Sequence, residues 1–156
     1  MEFILEKVKF EDKNILYQLL QYLLFEISAN DDTTMNQKGY FEYPWFDNYF
    51  TDRDRTAYFI KDKKTKELLG FAMINEHLQK FKRGHSIAEF MILPKYRRQK
   101  IGQKVAIEIF EIYKGNWEIH PSNNNSKAFS FWNSTIKEYT NNNYKFEDNL
   151  FLFSNK

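Results

Sequence analysis

The clearest period in the chain lies between residues 15 and 27, where Ile15, Leu16, Leu19, Leu20, Leu23, Leu24 and Ile27 recur at i, i+1, i+4 and i+5. That spacing winds into one apolar stripe of an α-helix, with Asp12 placed to cap its start. A second helix is expected from Ile101 to Lys114. Val105, Ala106, Ile109, Phe110, Ile112 and Tyr113 share one arc, Gln103, Lys104, Glu108 and Glu111 the other, and Gly115 stands as the C′ stop. A third runs from Asn125 to Tyr139, with Ala128, Trp132, Thr135, Ile136 and Tyr139 on one face. Elsewhere the pattern is that of strands. Phe3 to Val8 alternates, and Tyr58 to Ile60 and Leu68 to Ile74 flank a charged turn as a hairpin does. Ser86 to Leu93 is a strand stopped by Pro94, and Trp117 to Ile119 is a short one closed by Pro121. Closing strands are expected from Tyr144 to Phe153 after the Asn141 to Asn143 turn. Ser28 to Asp54 mixes turn residues with aromatics and is read as one short helix and loops. The order strand, helix, hairpin, strand, helix, strand, helix, strand is that of an α+β fold with a mixed sheet.

A chain of 156 residues with no repeat and no linker makes a single domain over 1–156. Its 16 Phe, 10 Tyr and 3 Trp supply a large aromatic core and exclude a disordered chain. Lys and Arg number 23 against 21 Asp and Glu, and the resulting +2 gives no global field toward nucleic acid or membrane. The absence of cysteine excludes disulfides, thiolate metal sites and a cysteine nucleophile, and the 3 His show no ligand spacing, so no metal is expected. With no basic leader and no apolar run of ~20 residues, the expectation is a soluble, cytoplasmic protein.

One stretch carries chemistry. From Glu89 to Gln103 a strand ends at Pro94, a tight turn follows, and a helix opens near Ile101. Lys95, Arg97, Arg98, Lys100 and Lys104 lie there with no acid between them. Unsatisfied N–H groups and the positive end of the dipole at a helix N-terminus bind anions, and the flanking cations strengthen the site. A turn of this kind suits a pyrophosphate; an exposed basic loop is the other reading.

The same residues give a more specific indication. Arg97-Arg98-Gln99-Lys100-Ile101-Gly102 resembles the Q/R-x-x-G-x-G/A signature of the GNAT superfamily of acyl-CoA-dependent N-acyltransferases. Ile92 to Tyr96 resembles that family's V-x-P-x-Y strand end, Asn125 to Trp132 its N-x-x-A-x-x-F-[YW] helix, and Leu69-Gly70-Phe71 the (I/L)-G-F of its hairpin. The resemblance covers nearly the whole chain. It implies a twisted, mostly antiparallel sheet with two splayed parallel central strands, flanked by about four helices. It also implies acetyl-CoA as co-substrate, a primary amine of a small molecule or peptide as acceptor, and a homodimer as one assembly open to the chain. The pantetheine would lie between Ser86–Leu93 and Trp117–Ile119, bonding to main chain around Ile92 and Leu93. The pyrophosphate would sit on Arg98 to Gln103, and Asn125 would touch the pantetheine. The implied cofactor-binding residues are thus Met91, Ile92, Leu93, Arg97, Arg98, Gln99, Lys100, Ile101, Gly102 and Gln103, with Asn125 and Trp132. Two departures stand out: Lys100 replaces the first signature glycine, and Trp132 replaces a Tyr that often serves as general acid, a task an indole cannot perform.

Three residues are candidates for the base that takes a proton from the attacking ammonium. Glu89 lies on the strand leading to the cofactor, ahead of Ser86 and Glu118. Strand alternation counted from Ile92 puts Glu89 on the face opposite Phe90, and a bulge, usual in this superfamily, would reset the parity. His85 and His120 read as surface histidines, and Tyr139, a substitute acid by type, reads as core packing. Between Ser28 and Asp54 stand six acids (Asp31, Asp32, Glu42, Asp47, Asp52, Asp54) and two bases among aromatics, a wall suited to a cationic amine. Two other classes compete with the transferase: a non-catalytic acyl-CoA-binding module of the same fold, and a nucleic-acid binder using Lys80, Lys82, Arg83 and the 95–104 cluster.

Overall fold

The computed structural model describes residues 1–122 and 124–156. Seven strands form one sheet: β1 (Phe3–Lys7), β2 (Arg55–Asp62), β3 (Leu68–Asn75), β4 (His85–Ile92), β5 (Asn116–Ile119), β6 (Lys145–Glu147) and β7 (Leu150–Ser154), in the order β1-β2-β3-β4-β5-β7-β6. Every neighbouring pair is antiparallel except β4–β5. Among the described residues three α-helices flank it, α1 (Lys13–Ile27), α2 (Ile101–Ile112) and α3 (Ser126–Thr140), rather than about four. The extra helix expected between Ser28 and Asp54 amounts to one 3-10 turn at Asp47–Tyr49.

The apolar stripes set the layers. Leu16, Leu19, Leu20 and Leu24 of α1 pack on one face of the sheet against Phe59, Phe71, Met73 and Met91, with Phe41, Phe46 and Tyr49 from the long connection. Ile101, Val105, Ala106, Ile109 and Phe110 of α2, with Trp132 and Ile136 of α3, cover the other face over Trp117, Ile119, Phe151 and Phe153. Burying one such side chain contributes about 1.5–3 kcal/mol, so the two layers supply the main driving force.

The caps differ from those the sequence suggested. Asp12 occupies the N-cap of α1 but makes no side-chain bond to it. Helix α2 ends at Ile112, and Gly115 lies three residues beyond, at φ +131° in the turn to β5. Asn125 does cap α3, accepting from the Ala128 N–H at 3.0 Å. Asp148 and Asn149, at φ 52° and 60°, make the two-residue turn that the right-handed twist of a hairpin favours between β6 and β7.

Strands β3 and β4 approach so closely that one position has no room for a side chain. A Cβ on Gly70 would lie 2.0 Å from the Met91 carbonyl oxygen and 3.0 Å from the Ile92 Cα, both main-chain atoms. Gly70→Ala is therefore expected to lower stability by about 3 kcal/mol and the melting temperature by ~10 °C, measured by thermal unfolding. A change within about 2 °C would show that the two strands can part without cost.

Candidate active site

Strands β4 and β5 pair only at His85↔Trp117 and Ser86↔Glu118. Beyond Ser86 they diverge, and Pro121 follows β5 almost at once. The β3–β4 register slips between Met73↔Glu89 and Ile74↔Ile87, leaving Ala88 as a bulged residue. The expected bulge is present, and it acts differently from the expectation: it turns Ile87 to the α2 and α3 face, while Glu89 stays with Met73 and Met91 toward α1.

The divergence opens a cleft of about 670 Å³. Ile87 to Ile92 form one wall, Arg97, Arg98, Lys100, Gly102 and Gln103 the mouth, and Asn125, Lys127, Phe131 and Trp132 the opposite wall. Leu23, Glu26, Ile27 and Asn30, at helical spacing along and just past α1, close a further side. The Leu93 N–H bonds to the Leu69 carbonyl at 2.8 Å. Alternation then directs the main-chain polar groups of Ile92 and Phe90 away from β3, toward the splay. The Leu93 N–H, expected among the bonding groups, is thus committed to β3, and the Leu93 carbonyl accepts from the Tyr96 N–H at 2.9 Å.

At the mouth the turn is built from uncommon backbone. Arg98 and Lys100 adopt φ 65° and 63°, and Lys100 is the N-cap of α2 without a side-chain cap. The left-handed conformation falls on the lysine that replaces the signature glycine, at a cost of roughly 1 kcal/mol. The opening N–H groups of α2 have no intrahelical acceptor and face the basic turn. Gly102 is helical rather than left-handed, and its Cβ would meet the Phe131 ring at 3.1 Å, so its smallness serves the approach of α2 to α3. Ile101 is buried in the core, and Gln99 points away, its amide 3.5 Å from the Lys95 carbonyl. Arg97 donates from Nε to the Ile92 carbonyl at 2.6 Å and pairs in a fork with Glu26 of α1, at 3.0 and 2.8 Å. Arg97 therefore braces the turn against α1, and Glu26 is held below its ordinary pKa by that guanidinium.

The candidate bases separate clearly. Glu89 lines the cleft, its Oε2 accepting from the Tyr43 hydroxyl at 2.8 Å. Burial raises its pKa from 4.5 to about 7, the Tyr43 hydrogen bond opposing and the Asp31 charge adding to the rise. Glu118 is buried at 2% exposure and accepts from the N–H groups of Gln79, Lys80 and Phe81 at 2.8, 2.8 and 2.6 Å. It anchors the β3–β4 connection and stands outside the cleft lining. Ser86 lies at the paired end of β4, opposite Glu118, and does not line the cleft either. His85 is half-buried rather than on the surface, its ring 4.6 Å from Tyr113 and 5.6 Å from Trp117. His120 is exposed at the cleft rim, 3.1 Å from the Asn149 amide. Tyr139 bonds to Glu111 and Asn155 away from the cleft. Trp132 packs edge-on against Phe90 and Phe131, at 5.3 and 4.9 Å, as part of the cleft wall. Tyr43 and Phe90 escaped the sequence reading: Tyr43 meets Glu89 across 46 positions with no local pattern to announce it, while Phe90 was legible from strand alternation.

This arrangement can be compared with known proteins. The model of the Acetyltransferase (GNAT) family matches residues 20–134. The chain belongs to the GNAT acetyltransferase family. Among curated proteins no sequence matches it. Its fold is similar to that of the aminoglycoside acetyltransferase AAC(6')-Ib, solved with coenzyme A and kanamycin. The TM-score is 0.67 at 13% identity, over 98% of this chain and 95% of that one. NAA60 of Arabidopsis thaliana, solved with a bisubstrate analogue, gives 0.63 at 13% identity over 98% of each chain. YhhK of E. coli, bound to coenzyme A, gives 0.61 at 11% identity over 99% and 100%. At these identities the likeness is one of fold. Among the described residues no helix of this GNAT protein is long and apolar enough to cross a membrane, and no group of His, Asp and Glu side chains could hold a metal ion. Of the basic residues weighed for nucleic acid, Lys80 is paired with Asp148 and Arg97 with Glu26.

The raised pKa of Glu89 has a consequence for stability. The unfolded chain releases this proton near 4.5 and the folded chain near 7, so the fold binds the proton more tightly. Stability is therefore lost as pH rises from 4.5 to 7, and the full penalty applies above 7. At ~1.4 kcal/mol per pH unit, with allowance for water in the open cleft, the penalty is about 2 kcal/mol. Glu89→Gln is expected to stabilise the protein by about that much at pH 8 and to change little at pH 4, measured by denaturant unfolding. An equal effect at both values would mean that the carboxyl titrates in its ordinary range.

Proposed function

We propose that the protein is an acetyl-CoA-dependent N-acetyltransferase that moves the acetyl group to a primary amine of a small molecule or peptide by direct attack. The observation that supports this most is the placement of Glu89, a carboxylate able to exchange a proton near neutral pH, in the same cleft as the uncapped start of α2. Acetyl-CoA fits the residues present. Its pyrophosphate suits the N–H groups at the start of α2 with Arg98, Lys100 and Lys127 around them, and its pantetheine amides suit the main chain of Phe90 and the N–H of Ile92 in the splay, the Ile92 carbonyl being held by Arg97. When bound it supplies an activated acyl group. Asn125 and Trp132 shape the far wall. Glu89 takes the proton from the acceptor ammonium, and its elevated pKa makes it a competent base at neutral pH. Asp31, next to the cleft-lining Asn30 and close enough for its charge to act on Glu89, favours a cationic acceptor on that side of the cleft.

The test is an amine panel with acetyl-CoA, read as free CoA thiol, which is clean because the chain has no cysteine. Transfer to at least one amine, falling roughly 10²-fold in Glu89→Gln with CoA binding retained, is the expected result. CoA binding with no thiol release across the panel would favour the non-catalytic acyl-CoA-binding reading, which the Trp132 replacement makes concrete. For the cofactor end, Arg98→Glu with Lys100→Glu is expected to weaken CoA at least ~10-fold, while either residue changed singly to Ala costs only a few-fold, because the main chain carries most of the contact. Calorimetric titration with CoA checks this, and wild-type affinity in the double variant would place the phosphates elsewhere.

A further inference from the structure

A carboxylate that must accept a proton from one direction has to be held, and the structure shows what holds Glu89. The Tyr43 hydroxyl donates to its Oε2 at 2.8 Å. Tyr43 does not line the cleft that Glu89 lines; its ring packs into the α1-side core, behind the carboxylate. Its own placement is well determined. The Gln21 side chain of α1 accepts from the Phe41 N–H at 2.7 Å and donates to the Phe41 carbonyl at 2.8 Å, clamping the chain two residues ahead. Pro44 restricts Tyr43 itself to extended backbone. The Tyr49 hydroxyl stands beside that of Tyr43 and lies 3.5 Å from the Asn75 amide at the end of β3.

We propose that Tyr43 is the positioning residue of the transfer site, fixing one carboxylate oxygen of Glu89 and directing the other, Oε1, to the proton that leaves the acceptor ammonium. The inference rests on Glu89 being the base. The balance is simple: the proton passes from the ammonium nitrogen to Oε1, and Tyr43 keeps its own. Burial pushes the Tyr43 hydroxyl far above its ordinary range, so it acts as a fixed donor and not as the acid for the leaving thiolate. The groups facing Glu89 are Tyr43 and Tyr49 from the long connection and Asp31 from the turn after α1. Of these, only the Tyr43 bond favours the ionised carboxylate.

The test reads the carboxyl carbon of Glu89 by NMR titration of the free protein, its signal identified by loss in Glu89→Gln, together with the pH profile of acetyl transfer. In the parent the midpoint is expected at about 7. Tyr43→Phe is expected to move it upward by about one pH unit, to lower transfer at pH 7 about fivefold, and to leave CoA affinity unchanged. Incorporation of 3-fluorotyrosine at position 43, a stronger donor of nearly the same size, is expected to move the midpoint downward and gives the answer even if the Phe variant does not fold. A midpoint that ignores both changes overturns the proposal. A midpoint that moves while the acidic limb of the rate profile stays in place overturns instead the reading of Glu89 as base.

Discussion

The site depends on how briefly β4 and β5 pair. Two residue pairs hold the strands parallel, and then they part. Had the ladder continued, the main-chain groups of Phe90 and the N–H of Ile92 would be satisfied by β5 and the cleft would not exist. Three local features enforce the parting: the bulge at Ala88, the shortness of β5, and Pro121, which cannot donate to a ladder. The paired end is correspondingly well anchored. Glu118 holds the 79–81 segment by three N–H bonds, and His85, Trp117 and Phe153 stack around it. A rigid hinge at one end lets the other remain open without unravelling the sheet.

Between β4 and β5 the chemistry changes with the side chain's surroundings. Glu118 and Glu89 are both drawn into the protein, but Glu118 meets three N–H donors and Glu89 a single hydroxyl. A carboxylate satisfied by three donors is a structural fastener. One that is desolvated with a single donor holds its proton to higher pH and can exchange it with a ligand. The fold bears the unfavourable ionisation of Glu89, just as it bears left-handed backbone at Arg98 and Lys100 around the start of α2.

Much of this was legible in the sequence. The apolar stripes of α1, α2 and α3 and the alternation of the strands carried the fold, and the run from Glu89 to Gln103 marked the basic turn and the helix behind it. What escaped was set by contacts that leave no local period. Tyr43 reaches Glu89 from a connection whose aromatic run also reads as core. Glu118 looked catalytic because its residue type and strand position are the same whether it faces a cleft or a loop; only the amides of Gln79 to Phe81 distinguish them. Gly102 was read through a motif in which glycine serves close phosphate approach, whereas here the nearest neighbour of a Cβ is the Phe131 ring. The helix count was overestimated because turn residues and aromatics between Ser28 and Asp54 fold around α1 through side-chain clamps such as Gln21 on Phe41, without helical bonds.

The central claim, that the gap between β4 and β5 is the seat of coenzyme A, is tested most directly by mapping backbone amide shifts during titration with CoA alone. The account predicts that the amides of Phe90, Ile92 and residues 98–103 move together and saturably, while those of Gln79, Lys80 and Phe81, bonded to Glu118 behind the paired end, stay in place. Saturable shifts confined to other faces of the sheet, or none at millimolar CoA, would contradict it.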